Sequence, residues 1–170
     1  MADEGGRAPA ATSEDSPRIV DWTPELDAEA ERIVDAVFTE YDIPFHPGDY
    51  DSDLREIQRL YLATGGMFRF LLIGARAVAT VAVRPLTKGE CELKRLYMLQ
   101  SQRGKGYGGL LLDEAIDWAR EAGFESMIAW SDTRFEDAHR AYLSRGFEQF
   151  GQRDEPGPDP AEELGFRLAL

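Results

Sequence analysis

Arg103-Gly104-Lys105-Gly106-Tyr107-Gly108-Gly109 stands between a β-rich stretch ending at Met98 and the apolar run Leu110-Leu111-Leu112. A strand gives way to a helix here through backbone that is almost free of side chains. Glycines remove the Cβ atoms that would hold an anion away, and the first N–H groups of a helix lack internal partners and carry the positive end of its dipole. Such a stretch can seat a pyrophosphate.

Upstream of the loop, Glu90 to Met98 reads as a strand, preceded by two β-rich runs, Met67 to Ile73 and Arg76 to Arg84, separated by the hairpin signal Gly74-Ala75. Further back, Arg18 to Trp22 reads as a short strand. Thr23-Pro24-Glu25 supplies an N-cap, a first-turn proline and an acid for a helix to about Phe38, whose apolar residues fall at helical spacing. A second helix is expected from Ser52 or Asp53 through Leu54, Ile57, Leu60 and Tyr61 to the stop at Gly65-Gly66. Downstream, Leu110 to Ala122 is expected to be helical and to end at Gly123, with Ser126 to Ser131 returning as a strand parallel to the one before the loop. A last helix over Arg134 to Arg145 closes at Gly146. Strands near Phe147 to Gln152 and Gly165 to Leu170 follow, with a proline-rich loop over Asp154 to Pro160 between them. The order of elements implies an α/β chain with a mixed sheet.

The composition narrows the functional classes. At 170 residues the chain fits one domain, expected over residues 18–170 behind a disordered acidic tail at 1–17 rich in Ala, Pro, Gly, Ser and acid. No apolar run approaches the roughly 20 residues of a membrane span, and the tail has no apolar core of a signal peptide. A single cysteine, Cys91, has no partner for an internal disulfide or a metal knuckle, and His46 and His139 show no ligand spacing. A cytoplasmic protein without a structural metal is expected. A net charge of −13 disfavours a nucleic-acid surface, which needs clustered Lys and Arg. Only Lys88, Lys94 and Lys105 are lysine, against sixteen arginines. Such an acid-rich, lysine-poor composition resembles proteins of salt-loving organisms, although a GC-rich genome would also exchange Lys for Arg.

Gly104-x-Gly106-x-x-Gly109 matches the dinucleotide-binding fingerprint, and Asp132 falls about where its ribose-binding acid is expected. That fingerprint, however, turns directly off a buried parallel strand. Here Leu99 to Arg103 intervene, and the strand itself carries Glu92, Lys94 and Arg95. The chain also ends too soon after Gly109 to complete two mononucleotide-binding halves. A Walker motif is excluded because Gly104-Lys105 is followed by Gly106 rather than Ser or Thr.

The chain resembles instead the GNAT superfamily of acyl-CoA-dependent N-acetyltransferases, whose cofactor loop reads R/Q-x-x-G-x-G/A and is matched by Arg103, Gly106 and Gly108. Ala138-His139-Arg140-Ala141-Tyr142-Leu143-Ser144-Arg145-Gly146-Phe147 resembles the family's next signature, a helix with a tyrosine four residues before Gly-Phe. The resemblance covers about residues 18 to 170. It implies a mixed, mostly antiparallel sheet of about seven strands with about four helices on both faces, and acetyl-CoA as co-substrate. Backbone amides of Gly104, Lys105, Gly106, Tyr107, Gly108 and Gly109 would bind the pyrophosphate beside Arg103, with the Lys105 side chain near the cofactor's anionic end. Main-chain groups around Leu96, Tyr97 and Met98 would pair with pantetheine amides where the strand splays from Ser126 to Ser131. One such N–H would polarise the thioester carbonyl.

By the same resemblance Tyr142 would be the general acid that protonates the departing thiolate, and Glu92 stands at the strand position used as general base in some relatives, with Glu90 two residues earlier on the same face. One departure is visible. Many relatives place an asparagine seven residues before the tyrosine, where this chain has Phe135, so that cofactor contact is absent or moved. The acceptor is expected among small-molecule amines such as an amino acid or a polyamine; a peptide or protein amine, or a non-catalytic acyl-CoA sensor, are the alternatives. Residues expected to wall its pocket are Tyr41, Phe45, His46, Tyr50, Trp130 and the Asp154 to Glu163 segment. Neither nucleic acid nor membrane is expected as a partner, and self-association, where it occurs, would form a homodimer.

Overall fold

The computed structural model describes residues 16–155 and 159–170. Seven strands form one sheet in the order β1-β2-β3-β4-β5-β7-β6: β1 (Pro17–Asp21), β2 (Met67–Ile73), β3 (Arg76–Pro85), β4 (Glu90–Met98), β5 (Ser126–Asp132), β6 (Glu148–Glu155) and β7 (Ala161–Ala169). All pairings are antiparallel except β4 with β5. That parallel pair is joined by a crossover through α2 (Tyr107–Glu121), as parallel neighbours require. α2 and α3 (Glu136–Ser144) cover one face, and α1 (Asp27–Glu40) with the turns after it covers the other, so the expected α/β fold of seven strands and helices on both faces is present.

Each face has its own core. On one, Leu111, Leu112, Ala115, Ile116 and Ala119 of α2 sit at helical spacing against Val81, Val83, Cys91 and Leu93. On the other, Ala30, Ile33, Val34 and Phe38 of α1 pack on Phe68, Phe70 and Ala82. Alternation along β2 to β4 supplies both faces from the same strands.

Several local expectations are corrected. The helix expected from Ser52 to Gly65 is a 3₁₀ turn at Ser52–Arg55 followed by a π-helical turn at Gln58–Leu62, although Leu54, Ile57 and Tyr61 are buried as a helix would bury them. Asp51 and Asp53 turn inward to an arginine of β4, and their side-chain bonds compete with a regular helical turn. α2 begins at Tyr107, three residues earlier than the apolar run suggested. β6 and β7 extend to Glu155 and from Ala161, which shortens the proline-rich loop. β1 begins at Pro17, one residue before the expected strand, and residues 1–15 of the expected tail lie outside the described residues.

Gly66 allows the chain to enter β2 against β3. A Cβ there would lie 2.2 Å from the Val83 carbonyl oxygen and 3.0 Å from that of Tyr61. Backbone cannot give way as a side-chain tip can. Gly66→Ala is therefore expected to destabilise by about 3 kcal/mol, the upper part of the usual overpacking range. The check is denaturant unfolding, with a lower midpoint at unchanged slope.

Candidate active site

β4 and β5 pair over only three positions, Glu90↔Ser126, Cys91↔Met127 and Glu92↔Ile128, and then separate. The separation coincides with a β-bulge in β4, where Lys94 faces Ala82 and Tyr97 faces Thr80, leaving one extra residue. Arg95 at the bulge has φ 54°, a conformation that costs a non-glycine residue about 1–2 kcal/mol. It is pinned from several sides. Its guanidinium donates to Asp53 (Nε, 3.0 Å) and Asp51 (2.9 Å), and its carbonyl accepts from Thr80 Oγ1 at 2.7 Å. Asp53 also accepts from Tyr61 Oη at 2.5 Å. Burial pushes the Asp53 carboxyl up, but the Arg95 charge and the hydrogen bonds from Arg95 and Tyr61 outweigh it and hold the group below its ordinary value.

Between the diverging strands lies a cleft of about 590 Å³. At one end is the glycine loop. Gly104 (φ 76°) and Gly106 (φ 84°) adopt left-handed conformations, and a Cβ built at Gly104, Gly106 or Gly108 would meet nothing within 4 Å. Gly106 is the N-cap of α2 without a side-chain cap, so the first-turn amides of α2 have no capping side chain to bond to. Arg103 bridges this end of the cleft: it donates to the Met98 carbonyl (3.1 and 2.9 Å), pairs with Glu40 of α1, and lies over the Tyr41 ring. The positive-φ glycines, the unspent amides and the split strands form a cradle that fits a CoA pyrophosphate and an extended pantetheine arm.

Most residues expected at the cofactor site line this cleft: Leu96, Tyr97, Met98, Arg103, Gly104, Gly106, Gly108 and Gly109. Lys105 instead reaches back to Gln102 Oε1 at 2.9 Å, and Tyr107 packs against the α2-side core. Phe135, in the place of the family's asparagine, is an aromatic wall, edge-on to Tyr41 (4.9 Å) and Tyr97 (5.8 Å). Tyr142 is 5% exposed, packed at a tilt against Phe147 (5.4 Å) and Phe166 (5.3 Å), and borders the cleft. Its hydroxyl has no hydrogen-bond partner among the described residues. Burial, with the nearby Tyr97 phenol, pushes its pKa well above the ordinary value. It stays protonated through the working range.

Past the divergence the cleft becomes polar. Glu92, 5% exposed, accepts a hydrogen bond from Arg84 Nε at 2.8 Å and is ion-paired with Arg84 Nη2 at 2.7 Å. Opposite stands Glu163 on β7, paired with Arg153 at 2.7 Å, while Arg153 lies 4.3 Å over Trp130. Burial raises the Glu163 pKa against the opposing pull of Arg153. Asp132 is held by Arg134 (2.6 Å) and by the Arg134 N–H (2.8 Å), a local turn, and His139 meets Ser131 Oγ at 3.1 Å. Of the expected acceptor residues, Tyr41, His46, Tyr50 and Trp130 line the cleft, as do Glu155, Asp159, Ala161 and Glu163, whereas Phe45 packs against Phe38 (6.2 Å) in the α1-side core. His46 Nε2 is buried without a partner among the described residues. Residues 156–158 of the segment lie outside the described residues. The roles of Lys94, Arg95 and Arg153 were not singled out in the sequence, although charges in the middle of an otherwise apolar strand were the visible signal at Lys94 and Arg95.

A split between a parallel strand pair, opening onto a glycine loop at a helix N-terminus and onto a buried tyrosine from the next helix, defines the acyl-CoA-dependent N-acyltransferase class. The chain matches the acetyltransferase (GNAT) family over residues 31–147 and belongs to that family. It is 30% identical over 122 residues to the uncharacterized N-acetyltransferase YjgM of Escherichia coli, covering 69% of this chain and 73% of that one. It is 28% identical over 107 residues to rat N-acetyltransferase 8F1, covering 60% of this chain but 48% of that relative, so the match spans about half the mammalian protein. Among solved structures, a GNAT acetyltransferase of Staphylococcus aureus superposes with a TM-score of 0.81 at 20% identity, covering 91% of this chain and 99% of that one. A Salmonella typhimurium protein solved with its cofactor acetyl-CoA gives 0.73 at 18% identity over 91% and 94%. At these identities the structural likeness is one of fold.

Proposed function

We propose that the protein transfers an acetyl group from acetyl-CoA to the primary amine of a small molecule by direct attack. The observation that carries this reading is the continuity of one cleft from the glycine loop, past Tyr142, to the buried carboxylates Glu92 and Glu163. The amides of Gly104 to Gly109 hold the pyrophosphate, and the free main-chain edge of β4 from Leu96 to Met98 holds the pantetheine arm, apart from the Met98 carbonyl that Arg103 occupies. Acetyl-CoA supplies the thioester whose carbonyl carbon the amine attacks.

The chain's own groups handle protons. An ammonium has no lone pair and must first lose a proton, which Glu92 accepts, directly or through a water. The N–C bond then forms as the C–S bond breaks, an N–H donor of β4 facing the carbonyl oxygen. Tyr142 protonates the leaving sulfur. Of the two protons lost by the ammonium one is replaced on sulfur, so each turnover releases one proton.

Glu163 is the second candidate base, because burial raises its pKa toward the working range. The two are separable. With Glu92 as base, Glu92→Gln is expected to lower kcat/KM by about 100-fold, whereas Glu163→Gln changes it only a few fold. The opposite pattern assigns the role to Glu163.

The reading itself is tested by free-thiol release from acetyl-CoA across amino acids, polyamines, aminoglycosides and short peptides. Release that depends on a small amine is the expected result. Release only with peptides would move the acceptor to protein amines, and tight acetyl-CoA binding without release would make the chain a sensor.

A further inference from the structure

Lys94 stands apart from every other cation of the cleft. Arg95 is paired with Asp51 and Asp53, Arg103 with Glu40, Arg134 with Asp132 and Arg153 with Glu163. Lys94 also lines the cleft, yet it has neither an ion pair nor a hydrogen-bond acceptor among the described residues. The carboxylates nearest in the fold are already engaged: Glu92 with Arg84, Asp53 with Arg95, Glu163 with Arg153. A half-buried ammonium on a cleft wall without an ion pair of its own is costly unless a ligand supplies one.

We propose that Lys94 binds the carboxylate of the acceptor, and that the acceptor is therefore a free amino acid or a close analogue, with its amine toward Glu92. The inference rests on the acetyl-transfer reading above. Geometry supports it. Lys94 and Glu92 are two residues apart on one face of β4 before the bulge, a separation of about 7 Å at about 3.3 Å per residue. In an α-amino acid the amine nitrogen and carboxyl carbon lie about 2.5 Å apart, and a hydrogen bond of about 2.8 Å at each end lets one molecule bridge the two side chains. The strand thus presents a base and an anion anchor at the spacing of a zwitterion. Burial pushes the Lys94 pKa down while Glu92 pulls it up, as expected for a cation short of partners.

The same cation discriminates against the other acceptor classes. A polyamine would bring a second ammonium against Lys94 in a poorly solvated cleft. A peptide N-terminus carries an amide where the carboxylate belongs.

The test compares L-amino acids with their carboxamides and with polyamines, at saturating acetyl-CoA, on the protein and on Lys94→Gln and Lys94→Arg. Thiol release reports kcat/KM, and the thermal midpoint with CoA present reports acceptor binding without chemistry. The free carboxylate is expected to raise kcat/KM at least about tenfold over the carboxamide, the effect of a hydrogen bond to a charged group. Lys94→Gln is expected to bring the pair within about twofold, through KM, and to remove the midpoint shift that the amino acid gives; Lys94→Arg is expected to keep both. Equal or better use of carboxamides or polyamines by the unsubstituted protein overturns the inference and leaves acetyl transfer standing. So does a preference that survives Lys94→Gln. No release with any amine, while acetyl-CoA still raises the midpoint, overturns the transfer reading and the inference with it.

Discussion

Tyr142→Phe is expected to lower kcat by about 100-fold or more, the usual contribution of a positioned general acid, while Kd for acetyl-CoA and the unfolding midpoint change little. The substitution removes one oxygen that has no protein partner among the described residues and keeps the ring between Phe147 and Phe166. Nothing in the core is therefore left unsatisfied. The effect should lie in the departure of the thiolate and so appear in kcat. Burial favours the neutral phenol, hence ionisation of Tyr142 should give no falling limb at or below the ordinary tyrosine value of about 10. Steady-state kinetics with a thiol reporter, beside a thermal melt, checks both parts. An unchanged kcat would remove Tyr142 from the chemistry and make Tyr97, a half-buried phenol lining the cleft, the next residue to test.

The second large effect is on stability. Arg95→Ala leaves the buried Asp51 and the half-buried Asp53 without their counter-charge, a change that costs about 3 kcal/mol, the lower part of the range for breaking a buried pair. For a domain of this size that lowers the midpoint by about 10 °C. Arg95→Gly separates two causes: it loses the same ion pairs but relieves the φ of 54°, and should regain about 1 kcal/mol relative to alanine. Acid should do gradually what the substitution does at once. The folded-state pKa of Asp53 is depressed, so its contribution is full above the ordinary carboxylate value of about 3.9 and is lost as pH falls through the lower, folded value. Melts of the three proteins between pH 7 and pH 3 test the assignment: Arg95→Ala should show a weaker loss below pH 4 than the parent.

The glycine loop and the tyrosine helix were legible because their signals are local. A run of glycines at the head of an apolar helix, and a tyrosine four residues before Gly-Phe, specify backbone amides and one phenol without reference to distant contacts. The antiparallel prelude and the parallel pair around α2 were legible from alternation and turn residues. The turns at Ser52–Arg55 and Gln58–Leu62 were not, because what breaks the helix is Arg95, about forty residues further along the chain. The bulge was hidden for the same reason: Arg95 is an ordinary strand residue until its two aspartates are in place. Glu92 and Lys94 stand two residues apart in the sequence, but only the folded arrangement shows that one is ion-paired, with Arg84, and the other is not.

Following the acetyl group tests the central claim most directly: mass spectrometry of protein and small molecules after acetyl-CoA is added first and a free amino acid second. The account predicts no added acetyl mass on the protein before the amino acid arrives, then one N-acetylated amino acid for each thiol released. An acetylated protein that hands its group to the amine, or consumption of acetyl-CoA without an N-acetyl product, would contradict direct transfer.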